Sequence, residues 1–186
     1  MSPPVVRRAL TLVLTLVLAL CLACFAFGAH AFPSVGAEHP DVKLQDAWDR
    51  TYALSRFHGM PILVIYEDKD SARVNQALKD QLATLARGDA YRGRVALVAV
   101  ADVGAYDYWP VRGFVKDAIR KESSKQGTNI YCDWDGGVRG GLGLKKGTSN
   151  VVLFSRSGKV LLAESGPMSA HRREELFDMI RNDLGG

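Results

Sequence analysis

The chain has 186 residues, of which 47% are hydrophobic and 24% charged, enough for one globular domain with its own core plus a short extra segment. The formal net charge is +4, and loss of Arg7 and Arg8 with an N-terminal leader would leave about +2. The cationic residues are scattered and no run of four occurs, which argues against a nucleic-acid-binding protein.

Arg7 and Arg8 precede an uncharged stretch from Ala9 to Phe27, and Ala29-His30-Ala31 gives the small-x-small pattern that a signal peptidase reads. Residues 1–31 are therefore expected to be a signal peptide, with Phe32 as the new N-terminus of a periplasmic or secreted protein. The apolar stretch also approaches the roughly 20 residues that span a bilayer. An uncleaved inner-membrane anchor is the alternative, and it is the sole membrane attachment expected. Cys24 is preceded by Cys21-Leu22-Ala23, a poor match to a lipoprotein site. With Cys21 and Cys24 in the leader, the mature chain keeps one thiol, Cys132, and no internal disulfide is possible.

Residues 32–42, with Pro33, Gly36 and Pro40, read as an irregular lead-in, and residues 43–186 as one domain. From Lys43 to Phe57 the apolar positions Leu44, Ala47, Trp48, Tyr52 and Leu54 predict a helix. Pro61 to Tyr66 is a continuous apolar run that suits a strand covered on both faces. Asp70 is placed to cap the next helix, which carries Val74, Ala77, Leu78, Leu82 and Leu85 and stops at Gly88. A second buried strand is expected within Arg94 to Val103. A helix follows over Tyr108 to Gln126, burying Val111, Phe114, Val115, Ala118 and Ile119, and then a short strand over Asn129 to Trp134.

A glycine-rich stretch, Gly136 to Gly147, surrounds Leu142 and Leu144. Strands over Asn150 to Phe154 and Lys159 to Ala163 are joined by a tight turn at Gly158, and Ser169 caps a last helix that buries Leu176, Phe177, Ile180 and Leu184. Strands separated by helices pair in parallel and the final pair is antiparallel, so the fold class is α/β with a mixed central sheet.

This order, ending in a β-hairpin and a helix, resembles the thioredoxin-like fold over Lys43 to Leu184, a three-layer α/β/α arrangement. Pro61 to Tyr66 resembles the strand before the redox loop, and Asp133 to Leu144 is similar to the aspartate-rich turn and short helix of peroxiredoxin-like members. The leader, Tyr66 to Asp70, Lys146 to Val152 and Glu164 to Pro167 together resemble the YtfJ-like periplasmic proteins. The resemblance implies a C-x-x-C motif after the central strand, where a helix N-terminus lowers a thiol pKa. Here that place reads Glu67-Asp68-Lys69-Asp70-Ser71-Ala72-Arg73, without sulfur. It also implies a cis-proline before the hairpin. Ser149 or Asn150 stands there, and a trans bond is expected because a non-proline cis bond costs about 2.5–4 kcal/mol.

Other constellations favour plain structural readings. Cys132, between Tyr131 and Asp133 in an apolar strand, is expected to be a small buried hydrophobe. Asp133, Asp135, Asp68 and Asp70 read as turn residues, since the later ligands of a calcium loop are missing. His39, His58 and His171 fall in separate segments without ligand spacing, which disfavours zinc. Lys145-Lys146-Gly147-Thr148 lacks the context of a phosphate loop, so neither metal nor cofactor is expected. Tyr106, Tyr108 and Trp109-Pro110 are expected mainly to pack at the start of their helix, with a smaller role as a solvent-facing patch.

The expected function is a non-catalytic thioredoxin-fold module that binds protein or peptide. Its expected interaction edge comprises Glu67, Asp68, Asp70, Ser71, Trp109, Ser149 and Asn150. The alternative is a thiol-dependent redox enzyme or peroxide sensor that uses Cys132. A plain structural envelope protein is a third reading.

Overall fold

The computed structural model describes residues 31–86, 91 and 93–185. The leader, with Arg7, Arg8, Cys21, Cys24 and His30, and the helix stop at Gly88 lie outside the described residues. Among the described residues no helix is long and apolar enough to cross a membrane.

Two short antiparallel strands, β1 (Lys43–Gln45) and β2 (Thr51–Ala53), lead into a 3₁₀ turn over Leu54–Phe57. The main sheet has five strands in the order β5-β4-β3-β6-β7. These are β3 (Ile62–Glu67), β4 (Ala96–Asp102), β5 (Ile130–Asp133), β6 (Asn150–Phe154) and β7 (Val160–Ser165). β3, β4 and β5 run parallel, while β6 is antiparallel to both β3 and β7. The helices are α1 (Gln76–Leu85), α2 (Val111–Gln126), α3 (Gly137–Leu142) and α4 (Ala170–Gly185).

Alternation along β3 assigns the two faces. Ile62, Val64 and Tyr66 join Leu44, Leu54, Val138 and Leu142 in one core, beneath the small hairpin and α3. Leu63 and Ile65 join Leu78 of α1 and Leu176, Phe177 and Ile180 of α4 in a second core on the opposite face. A third, smaller cluster holds Ala47, Val103, Cys132 and Trp134 beneath Val115 and Ile119 of α2. The mixed sheet between two covering layers agrees with the expected fold class.

Three local expectations are corrected. Lys43 to Phe57 is a hairpin and a 3₁₀ turn, not a helix. The cause is Asp46, whose buried Oδ1 accepts from the backbone N–H groups of Trp48 and Arg50 at 2.9 and 3.0 Å and so closes a tight turn. Asp49 completes that turn at φ 65°. The second correction is at Asp70, which is exposed and caps nothing, because α1 starts later, at Gln76. Asp68 takes the local role instead, accepting from the Ser71 amide at 2.8 Å and the Ser71 hydroxyl at 2.6 Å. The third concerns α2. Phe114 is 70% exposed and Ala118 is exposed as well. Only the row Val111, Val115 and Ile119 is half-buried, because this helix covers an edge strand and meets it along a narrow stripe. Ser169 does cap α4, accepting from the Arg172 amide at 3.2 Å.

Candidate functional site

The C-terminal ends of the parallel strands β3, β4 and β5 bring Glu67, Asp102 and Asp133 to one edge of the sheet, where ligands of open α/β sheets generally bind. Asp133 is buried there. Its Oδ1 accepts from the Val138 amide at 3.2 Å, and its Oδ2 accepts from the Arg139 amide and the Tyr66 hydroxyl, both at 3.0 Å. This one carboxylate thus ties the central strand to the first turn of α3. The Arg139 guanidinium turns back to Asp102 at 2.8 Å. Burial, with the neighbouring Asp133 and Asp102 carboxylates, pushes the Tyr66 hydroxyl far above its ordinary pKa, so it remains a donor.

A second network begins at Glu67. Its carboxylate accepts from Lys79 Nζ and from the Ser149 hydroxyl, each at 2.8 Å. Asn75 donates to Ser149 Oγ at 2.9 Å and to the Gly166 carbonyl at 3.0 Å, while its Oδ1 accepts from the Met168 amide at 2.8 Å. Asn150, opposite Tyr66 in the register, holds the preceding loop by donating to the Lys145 and Thr148 carbonyls and accepting from the Lys145 amide. Tyr66, Asn75, Lys79, Asp102 and Arg139 are members of these networks that the sequence reading did not single out. Only Tyr66 left a trace, as the polar tip ending an apolar run.

The expected interaction edge therefore separates into parts. Glu67, Ser149 and Asn150 lie together, and Asp68 and Ser71 bind each other in the following turn. Asp70 is exposed beside them without a part in either network. Trp109 belongs to a different surface, a shallow cleft with Asp107, Tyr108, Arg112 and Lys116 at the start of α2. It is 90% exposed and Tyr108 is 57% exposed, so neither supplies the expected helix-entry packing. Of the three aromatics only Tyr106 packs, against the Val103 cluster. The turn after β3 carries no sulfur, and the one cis bond among the described residues is Trp109–Pro110, so the Ser149–Asn150 bond is trans.

Cys132 is 3% exposed, on the face of β5 beneath α2. Burial, aided by the Asp46 carboxylate, pushes its pKa up to about 11. Asp46 itself is affected by burial first, which raises it, yet donors from Arg50 and Trp48 more than offset that and hold it below the ordinary carboxylate range. In the same small cluster the buried Trp134 Nε1–H has no hydrogen-bond partner, and the Arg112 guanidinium stacks on its ring at 4.4 Å.

Among the described residues no group of three His, Cys, Asp or Glu side chains converges as a metal cluster would. Asp68 and Asp135 sit in turns as expected, Asp135 accepting from the Gly137 amide at 2.8 Å, whereas Asp133 ends β5 and accepts from the first-turn amides of α3. His39 and His58, far apart in sequence, bring their Nε2 atoms to 3.0 Å.

No family model matches the chain, and no curated protein matches it. Solved structures do. A protein from Chlorobium tepidum, provisionally described as the thiol:disulfide interchange protein DsbE, shares 21% identity at a TM-score of 0.61 and covers 82% of this chain and 99% of its own. The exposed lipoprotein thioredoxin of Streptococcus pneumoniae shares 14% at 0.57, covering 76% and 98%. The thioredoxin domain of a thiol-disulfide oxidoreductase from Bacteroides vulgatus shares 15% at 0.57, covering 79% and 98%. The fold is thioredoxin-like. These neighbours are named for thiol–disulfide chemistry, which overturns the expected non-catalytic protein- or peptide-binding module and leaves the thiol-dependent alternative as the better-supported reading.

Proposed function

We propose that this chain is a thiol-dependent redox protein of the cell envelope in which Cys132 is a guarded peroxide-sensing thiol. The observation that carries the reading is the position of Cys132. It is the one thiol of the described residues, and it lies on an edge strand beneath a helix whose only fully buried residue is Ser123. A helix held by so few buried side chains opens locally at lower cost than the core.

Closed, the thiol is protonated and shielded, and the thiolate that redox chemistry needs is scarce. Lifting α2 returns Cys132 to water and removes the burial that raises its pKa. The thiolate sulfur then attacks the terminal oxygen of a peroxide and the O–O bond breaks. Cys132 is oxidised to sulfenic acid, and the remaining peroxide oxygen leaves as alkoxide or hydroxide and takes up from solvent the proton the thiol gave up, becoming an alcohol or, from hydrogen peroxide, water. The unpartnered Trp134 N–H offers a donor in the same cluster. Among the described residues there is no second thiol to resolve such an oxidised Cys132 by disulfide exchange.

An envelope location is supported by the leader pattern at Arg7, Arg8 and Ala29-His30-Ala31, and the YtfJ-like resemblance belongs to the same reading. The test is mass spectrometry after peroxide treatment with a sulfenic-acid trap present. A trapped adduct on Cys132 is expected, formed more slowly than on free cysteine. A Cys132 that stays unmodified while the half-buried Met60 and Met179 oxidise would end the proposal. Sequencing of the mature N-terminus tests the location, with Phe32 expected and a retained leader counting against release.

A further inference from the structure

The histidine pair is held from several sides. The lead-in segment lies along the hairpin turn, with the His39 amide donating to the Gly158 carbonyl at 2.9 Å. The His39 ring packs edge-on against Phe154 and over Gly158, where an added Cβ would come within 3.2 Å of the ring. Its Nδ1 lies 3.1 Å from the Pro40 carbonyl oxygen. A carbonyl can only accept, so in the neutral ring Nδ1 carries the proton and Nε2 presents a bare lone pair. A backbone carbonyl on the other ring nitrogen is also the usual arrangement behind a metal-bound histidine.

His58 follows the 3₁₀ turn, its amide donating to the Ser55 carbonyl at 3.0 Å. Asp41 fixes the same turn by accepting from the Ser55 amide and hydroxyl, both at 2.9 Å. The two ring centroids are 5.0 Å apart and tilted by 59°.

We propose that His39 and His58 form a two-imidazole chelate for a divalent transition metal, with Cu(II) the favoured ion. At metal–nitrogen lengths of about 2.0 Å, two nitrogens 3.0 Å apart subtend close to a right angle at the metal. That lies between neighbouring positions of a tetragonal site, about 2.8 Å apart, and those of a tetrahedral one, about 3.3 Å, and Cu(II) is the first-row divalent ion that imidazoles bind most tightly. Without metal the short contact is a hydrogen bond from His58 Nε2–H to His39 Nε2. Metal binding requires only that the His58 proton move to its Nδ1. Water completes the coordination, since the cluster supplies no third side chain among the described residues.

Cu(II) titration of the purified protein, followed by electron paramagnetic resonance and pulsed detection of imidazole nitrogen, tests the site. One equivalent of Cu(II) with two equatorial imidazoles is expected. His39→Gln and His58→Gln should each weaken binding about ten-fold or more and leave one imidazole signal, while His171→Gln should bind as the parent does. Thermal melts without metal confirm that the variants fold. A parent spectrum with fewer than two imidazoles, or a His39→Gln protein that binds Cu(II) unchanged, overturns the proposal.

Discussion

The Ser149 hydroxyl donates to the Glu67 carboxylate at 2.8 Å, joining the end of the central strand to the loop that opens the hairpin. In the thioredoxin-like arrangement these two places face one another, and here they are bonded directly. The bond continues through Asn75 to Gly166 and Met168, so the strand end, the start of α1 and the approach to α4 share one polar network.

Asn75→Ala removes three bonds and leaves the Gly166 carbonyl and the Met168 amide without their partner. Unsatisfied buried groups cost about 1–3 kcal/mol each, only partly recovered by water. The expected loss is about 2–3 kcal/mol in urea unfolding. A loss below about 0.5 kcal/mol would mean that the network does not hold these segments.

Asp46→Ala removes the acceptor for two backbone amides and the larger of the two carboxylate influences on Cys132, leaving that of Asp49. Stability should fall by about 3 kcal/mol, because the turn between β1 and β2 loses its closure. The Cys132 pKa should move down at the same time, readable as faster thiol labelling at pH 9. The native Asp46 pKa is depressed, so its contribution is present above the unfolded value of 3.8 and disappears as pH falls through the lower folded value. Acid unfolding of the parent should therefore be steeper than that of Asp46→Asn.

Cys132 sets an opposite trend at high pH. The unfolded thiol ionises near 9.0 and the folded one near 11, so between those values the unfolded chain holds fewer protons. The contribution is complete below pH 9 and is lost on the way to 11, amounting to about 2–3 kcal/mol. Cys132→Ala should flatten this part of the stability curve relative to the parent. Parallel curves would show that the native thiol is not shifted.

Phe114→Ser should change stability by less than about 0.5 kcal/mol, since the ring stands in solvent. Ile119→Ala, on the half-buried row of the same helix, should cost clearly more and should also speed labelling of Cys132 by loosening α2. Equal effects from the two substitutions would contradict the observed orientation of the helix.

The apolar run from Pro61 to Tyr66, the hairpin turn at Gly158 and the capping Ser169 were legible because each signal is local. Lys43 to Phe57 was misread because its apolar spacing fits a helix, while the deciding group is the Asp46 carboxylate folding back on its own turn. The helical spacing in α2 was read correctly, but which residues face inward depends on how wide a surface the partner offers. An edge strand offers a narrow one, and Phe114 and Ala118 fall outside it. The site was partly legible. Glu67, Ser149 and Asn150 follow from strand order, whereas Asn75, Lys79, Asp102 and Arg139 join through contacts between distant segments. The histidine pair is another such contact, created by the lead-in lying across the hairpin.

That lead-in has a consequence for solubility. The Gly36 and His39 amides donate to the Val160 and Gly158 carbonyls, and the Val160 amide donates to Ala37, all along the outer margin of β7. An uncovered strand margin recruits other chains by the same bonds. The segment before β1 thus covers the start of this margin at Val160, and a chain trimmed to begin at Asp41 would leave the Val160 amide and carbonyl open to its own copies. Self-association of the trimmed form, and its absence in the untrimmed one, would be the visible result.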